Sequence, residues 1–447
     1  MRISWFGAML TIATIINIVK YDRRKALAMN FTILLAIYIF IGVGYHSVVF
    51  GVEFANEEFV TLILAIQSLL VIFSDKSKFS TKTILSLLLF LLSISIGLAL
   101  LKIAPYDQPI FTNEITTYEY YFNTRHSYAS FGSQSLRFFI RIFLFLIISL
   151  GLKQVLNKYT QKSIIYVIDK VFIINIGLIF IELLSKLLLS ANILNNIIGP
   201  IFGRVGLQEI FRGGSVTIIG LHTEPYHLVL GLWMYSIIIL FSDMNKNDTS
   251  KRLLVVIASF IISTSLAGII LCFILIVLYL YKYASFNTFI KFSLFASTII
   301  LCFVIFNDNI DLTYYSNRLT NMFSAIGFSS VEAQKSGSES LRFYLLKDAI
   351  FHFSQRPIFG IGLGTVFTFS AVPMILSNIG ITGLLFYSLF QKSLWKNSTR
   401  KVNYIPLFLI VSVYFFVDTI AILYSPGLIF FIYIYFINQQ TELIKGR

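Results

Sequence analysis

Thirteen apolar runs divide the chain, at roughly 3–19, 26–46, 59–73, 83–101, 138–152, 164–189, 225–242, 253–265, 267–281, 289–306, 373–390, 404–423 and 426–438. A bilayer core of about 30 Å takes about 20 residues of helix. Inside it every backbone N–H and C=O must be bonded within the segment. The runs therefore predict an all-α, polytopic integral membrane protein with about 12–13 transmembrane helices, residues 1–447 forming a single membrane domain. The stretch 253–281 is split at Ser263-Thr264-Ser265 and Ala267-Gly268, where small residues allow a tight reversal. Four runs (59–73, 138–152, 253–265, 426–438) are short, so the count can slip by one. Residues 1–19 carry one early basic residue and no small-residue cleavage site before Lys20–Lys25, and read as a retained first helix.

Charge agrees with that reading. Only 13% of residues are charged, against 57% hydrophobic. A soluble domain carries about 25% charged residues, so cytosolic enzymes, nucleic-acid binders and secreted disulfide scaffolds are excluded. The net charge of +14 then concerns topology rather than nucleic acid. The loops 20–25, 74–82, 153–163, 243–252, 282–291, 391–403 and the tail 441–447 hold 21 Lys and Arg; the alternate set holds 11 over more than twice the length. Basic loops stay in the cytoplasm, so the C-terminus is expected inside and, with thirteen spans, the N-terminus outside. The two cysteines, Cys272 and Cys302, lie in apolar runs and support neither a disulfide framework nor a zinc site. No cofactor is expected.

The outer loops are the long ones: 102–137, 191–224 and 307–372. Structureless loops of that length are unusual and tend to carry function. In the last, apolar residues at 341, 345, 346, 349, 350 and 353 recur at helical spacing and predict an amphipathic helix over about 340–354, with a serine N-cap at 338 or 340. Arg342 falls in its first turn, where a cation opposes the helix dipole. Next comes Arg356-Pro357-Ile358-Phe359-Gly360-Ile361-Gly362-Leu363-Gly364. Its alternating glycines suit either a tight turn into the next span or a nest of N–H groups open to phosphate. Gly380-x-x-Gly383 suits close helix packing. Among charges inside apolar runs, Glu182 and Lys186 are four apart and can pair on one helix face. Asp169, Lys170 and Arg141 are placed to snorkel, and Asp418 needs a partner on another helix.

Arg342-x-x-x-Leu346, the arginine-proline-glycine run from Arg356, and Asn378-Ile379-Gly380-Ile381-Thr382-Gly383-Leu384-Leu385 resemble, in order and spacing, the C-terminal core of the O-antigen polymerase/ligase superfamily. Gly220-Leu221-His222-Thr223-Glu224-Pro225, leading into the run at 225–242, resembles a motif of the polymerase branch. Two features depart from the pattern. No arginine directly precedes Gly220, the nearest being Arg212 and Arg204, and Leu266 stands where many relatives have arginine. Ligases carry a histidine about eleven residues before the glycine matching Gly380; here that place is Phe369, and His352 lies too far upstream. The resemblance thus points to a polymerase, with a ligase and a lipid-linked glycan transporter or flippase as alternatives.

The resemblance implies transfer of a glycan from undecaprenyl pyrophosphate to the acceptor sugar of another lipid-linked unit, at the outer face of a bacterial inner membrane. The partners it implies are that lipid-linked oligosaccharide, membrane lipid and a chain-length regulator protein. Negative charge grows on the leaving diphosphate, and guanidinium groups match its oxygens without deprotonating. Seven arginines lie in the outer loops: Arg125, Arg137, Arg204, Arg212, Arg318, Arg342 and Arg356. Anchoring to lipid phosphate is the alternative explanation for them. Arg342 and Arg212 are the expected diphosphate ligands, and Glu224 is the expected base or sugar-hydroxyl acceptor. Arg318, Arg204, Arg356, His222, His352 and Gly362 are expected substrate contacts. His222 and His227 flank Glu224 without the spacing of a zinc motif, and no metal site is expected.

Overall fold

A computed structural model describes residues 5–41, 46–49, 52–74, 79–111, 126–189, 211–212, 215–222, 225–263, 265–283, 338–368, 370–395 and 425–445, with a few isolated residues between. Helices dominate. Four of them, Thr81–Ile103, Ser135–Val155, Lys158–Leu189 and Ala371–Trp395, are long and apolar enough to cross a membrane; shorter apolar helices include Pro225–Phe241 and Ala267–Tyr283. Eleven of the thirteen apolar runs coincide with helices. The run 289–306 and most of 404–423, with Asp418, lie outside the described residues. The chain packs as two compact units: Met1–Lys76, Ile147–Leu312 and Ser425–Arg447 form one, and Ser77–Leu146 with Thr313–Tyr424 form the other.

The first unit contains α1 (Trp5–Lys20), α2 (Arg23–Phe40), the hairpin β1 (His46–Val49) and β2 (Val52–Ala55), and α3 (Asn56–Ser74). Asp22 caps α2 by accepting from the N–H of Lys25 at 2.9 Å. A buried amide relay joins these three helices. Asn17 donates to Asn30 at 2.8 Å, and Asn30 donates to Gln67 at 3.0 Å and to the Thr14 carbonyl at 3.3 Å. Away from water such groups must find one another.

Later in the chain the same unit holds α6 (Lys158–Leu189), a short ladder of β5 (Phe211–Arg212) and β6 (Ser215–Val216), α7 (Pro225–Phe241), α8 (Lys246–Ile262), α9 (Leu266–Tyr283) and α12 (Pro426–Lys445). Helix α7 is buried on nearly every side, as a helix that is apolar all round should be. It packs on α2, α8, α9 and α12. Gly231 lets the Ile39 carbonyl of α2 approach where a Cβ would stand. The expected reversal is present: α8 ends with Ser263 as its C-cap, and α9 starts at Leu266. Asp169 pairs rather than snorkels. It accepts from Arg252 Nε at 2.8 Å and Nη2 at 3.1 Å, and from the Tyr235 hydroxyl at 2.7 Å, linking α6, α7 and α8.

The second unit contains α4 (Thr81–Ile103), the hairpin β3 (Tyr106–Phe111) and β4 (His126–Ala129), α10 (Ser338–Gln355) and α11 (Ala371–Trp395). Helix α5 (Ser133–Val155) contributes residues to each unit. Ser80 caps α4 through the Thr83 N–H at 3.2 Å. Helix α4 runs along α11, and α10 packs on α11. The core between them comprises Leu101, Tyr106, Ile110, Ala129, Ala349, Ile361 and Val366. Leu85, Leu88 and Leu92 of α4 and Ile173, Ile174 and Ile181 of α6 stay exposed, as the lipid-facing sides of spanning helices must.

Candidate functional site

A helix, α10, spans the predicted stretch, and its first helical residue is Ser338, so Ser338 and Ser340 both lie within it rather than before it. Its buried stripe differs from the expected one. Leu345, Ala349 and His352 are buried, whereas Ile350 and Phe351 are exposed. Burial of His352 has a partner on each side. Its Nδ1 lies 2.7 Å from the Tyr106 hydroxyl, and its Nε2 lies 3.2 Å from Asp348 Oδ2. With Asp348 as carboxylate, which only accepts, Nε2 carries the ring proton and Nδ1 accepts from the phenol. The Tyr106 and His352 rings meet edge to face at 5.4 Å. Burial holds the Tyr106 phenol above its ordinary pKa, and the Asp348 charge adds to this; Arg356 opposes both. The phenol therefore remains a proton donor over the physiological range.

Arg356 follows α10 directly. Its guanidinium lies 5.4 Å from the Tyr106 ring centre and donates to the carbonyls of Ala104 at 2.8 Å and Pro105 at 3.2 Å. Ala104 is the C-cap of α4, so this arginine sits where a cation complements the helix dipole. Arg342 is half-buried near the other end of α10. Ten residues of helix separate it from His352, about 15 Å at 1.5 Å per residue. The two do not share one contact site.

The glycine run packs against a break in α11. Gly380 has φ 68 and ψ −177 inside that helix, a left-handed conformation open chiefly to glycine. The break frees carbonyls before it and N–H groups after it. Loop 357–366 takes up both sets. Ile361 and Gly362 donate to the carbonyls of Ser377 at 2.8 Å and Asn378 at 3.2 Å, and Ile381 and Thr382 donate to those of Pro357 at 2.9 Å and Ile358 at 3.2 Å. A Cβ on Gly362 would meet Leu101 Cδ2 at 2.7 Å. These N–H groups are thus bonded within the chain, and the tight-turn reading describes the glycine run. Gly380 is required by its backbone conformation rather than by helix packing alone.

In the first unit the motif before α7 is held by α6. Glu182 and Lys186 do form the expected pair, at 2.7 Å with neither side chain exposed. The pair does more than the sequence suggested. Glu182 accepts from the Ile219 N–H at 3.1 Å and the Gly220 N–H at 2.6 Å, and Lys186 donates to the Thr217 carbonyl at 2.7 Å. His222, the next residue but one, is buried. The backbone of Arg212 belongs to β5, paired with Ser215. Glu224, Arg204, Arg318 and Phe369 lie outside the described residues.

The structure therefore gathers His352 and Arg356 around Tyr106, with Gly362 bonded to the break in α11. It leaves Arg342 at a distance from them. Sequence reasoning missed Tyr106, because a hydrogen bond between residues 246 positions apart leaves no local pattern; it also missed Asp348, which stands at helical spacing four residues before His352. Asn378 enters the sequence reading only as part of a motif, yet its side chain makes four hydrogen bonds. Among the described residues no group of three or more His, Cys, Asp or Glu side chains is placed to hold a metal ion.

No curated protein matches the chain. A family model, Wzy_C, described as O-antigen ligase, matches residues 253–374, just over a quarter of the sequence. The matched segment runs from α8 through α10 and the glycine loop to the start of α11. Taken with the helical membrane architecture and the ordered motifs from Arg342 to Leu385, this match supports the likeness of the chain to the O-antigen polymerase/ligase superfamily.

Proposed function

We propose that this membrane protein is a polymerase of lipid-linked oligosaccharide repeat units. It transfers the growing glycan from undecaprenyl pyrophosphate to the acceptor sugar of a second lipid-linked unit, at the outer face of a bacterial inner membrane. Apolar helices and the family match support an integral membrane enzyme that handles glycan in O-antigen biosynthesis. The observation that carries the finer reading is Phe369, which stands where ligases have histidine.

In the reaction an acceptor hydroxyl attacks the anomeric carbon, the glycosyl–oxygen bond breaks, and the lipid diphosphate leaves with the bonding pair. The hydroxyl proton passes to a base. Arg342 and Arg212 are the proposed diphosphate ligands, with Arg318 and Arg204 behind them. Glu224 is the proposed base. Fixed guanidinium groups aimed at charge that develops in the transition state are the efficient device for this chemistry. His352, Arg356 and Gly362 have partners inside the chain, and their proposed part is to shape the segment that carries Arg342. His222 stays a proposed glycan contact. No nucleotide or metal enters the scheme, because the leaving group is already activated.

The description attached to the matched family favours a second reading, ligation of the glycan onto a lipid A-core acceptor. Purified protein in liposomes with lipid-linked repeat units separates the readings. A ladder of glycan lengths is the expected product. Transfer only onto a lipid A-core acceptor makes the protein a ligase. Movement of intact substrate across the bilayer without new bonds makes it a transporter.

A further inference from the structure

The ion pair on α6 has a carboxylate whose partners extend beyond its lysine. Glu182 sits in the last third of a 32-residue helix, at zero exposure, with Lys186 one turn on. Taking such charges out of water costs several kcal/mol per ion. Replacing a buried pair by apolar residues is often neutral or stabilising, so stability alone gives little reason for it. What the pair does is visible in its remaining bonds. Two successive N–H groups, of Ile219 and Gly220, point at the carboxylate, and the Thr217 carbonyl accepts from the ammonium group.

Gly220 makes this arrangement feasible. Its φ of 58 turns the strap so that adjacent N–H groups converge on one anion, and a Cβ there would press on Ile179 of α6 at 3.2 Å and Leu228 of α7 at 3.4 Å. Three backbone polar groups of the strap, at 217, 219 and 220, are thus engaged by charges of the complementary sign. The strap leads on to the buried His222, and Pro225 is the first residue of α7.

We propose that Glu182 and Lys186 are positioning residues for glycan transfer: a buried clamp of opposite charges that fixes the 217–220 strap and thereby the placement of His222. This rests on the functional reading above for what His222 does, but not for the clamp itself. The polarity of the clamp matters. A lysine at 182 could not accept from Ile219 and Gly220, and a glutamate at 186 would face the Thr217 carbonyl. A pair that merely balanced charge would tolerate the exchange.

The test combines hydrogen–deuterium exchange of the full-length protein in nanodiscs with steady-state glycan transfer. Three proteins are compared: wild type, Glu182→Gln, and the exchanged pair Glu182→Lys/Lys186→Glu. Exchange in peptides spanning 217–222 should rise roughly tenfold or more in both variants, as expected when hydrogen bonds to a charged group are lost, while peptides from α8 and α9 keep their protection. Turnover should fall about a hundredfold, the cost of a misplacement near 1 Å, with KM little changed. If Glu182→Gln fails to accumulate, Glu182→Met/Lys186→Met replaces it; that double change leaves no unpaired buried ion and removes the acceptor of the Ile219 and Gly220 N–H groups. Unchanged exchange at 217–222 removes the clamp. Faster exchange with wild-type turnover leaves a clamp without a positioning role and overturns the proposal. If wild-type protein transfers no glycan, the functional reading has failed, and the exchange arm still decides whether the clamp exists.

Discussion

The side-chain amide of Asn378 bonds the backbone of Val366 in both directions, donating to its carbonyl at 2.8 Å and accepting from its N–H at 3.4 Å. The same side chain accepts from the Thr365 N–H at 2.9 Å and donates to the Met374 carbonyl at 2.7 Å. One residue thereby joins the end of the glycine loop to the first half of α11.

Asn378→Ala should lower stability by about 2–3 kcal/mol, since a buried group left without its partner costs about 1–3 kcal/mol. Thermal unfolding in detergent, followed by size-exclusion fluorescence, reads this directly. Asn378→Asp should be at least as damaging, because a carboxylate cannot donate to the carbonyls of Val366 and Met374. An aspartate variant as stable as wild type would show that the donated bonds contribute nothing.

Gly380→Ala and Gly383→Ala should part company. Alanine at 380 would be held at φ 68 with its Cβ against the Ile358 carbonyl. Positive φ with extended ψ costs an alanine about 1–3 kcal/mol before any clash, and rigid backbone cannot yield. At 383 the nearest atoms to an added Cβ are Cδ1 and Cγ1 of Ile379, at 2.8 Å, and its Cβ, at 2.9 Å; a rotamer change relieves the first two, and a shift of a few tenths of an ångström must relieve the third. Expression in membranes should drop sharply for the first and modestly for the second. Equal loss in both would mean that the spacing serves helix packing, as the sequence alone suggests.

That contrast shows how far the sequence could be read. Hydropathy located the helices because lipid leaves a backbone no other option, so α4, α6 and α11 follow from apolar length alone. Glu182 and Lys186 were legible as a pair because helical spacing brings positions four apart together. Their hold on Thr217, Ile219 and Gly220 was not, since it depends on where a distant loop returns. Gly380 and Gly362 were legible as glycines with a purpose. Which purpose depended on whether carbonyls or a ligand filled the space beside them. Tyr106 left no mark, because a single residue contributed by a hairpin has no periodicity, whereas Asp348, four residues before His352, was within reach of the same spacing rule.

Tyr106→Phe should expose the value of the phenol on His352. It leaves Nδ1 of a buried ring without its donor, at a cost of about 1–3 kcal/mol, read as a lower unfolding midpoint near neutral pH. The pH dependence has a definite sign. The folded state holds the phenol above its ordinary value of about 10, so its stabilising contribution is complete below pH 10. It is lost as pH rises from there toward the folded value, because the unfolded chain releases that proton first. Wild type should therefore lose stability more steeply than Tyr106→Phe above pH 10. Parallel curves would mean that burial does not perturb this phenol.

Arg342 and Arg356 stand at opposite ends of α10 and should fail in different ways. Arg356 donates to the Ala104 and Pro105 carbonyls and lies over the Tyr106 ring. Arg356→Ala should weaken the fold, by about 1 kcal/mol for a partly exposed group at a helix C-terminus, with activity falling only as far as protein level falls. Arg356→Lys should recover part of that, since an ammonium group can reach one carbonyl but lacks the planar fork. Arg342 occupies the first turns of its helix, where a cation gains nothing from the dipole. Arg342→Ala should leave protein level near wild type and abolish chain extension, and Arg342→Lys should retain a small fraction of it, a point charge replacing a bidentate one. Quantitative immunoblotting of membranes beside glycan ladders from the same cells measures both quantities at once. A full ladder from the Arg342→Ala strain would remove this residue from the reaction and leave the diphosphate to the arginines of the other outer loops.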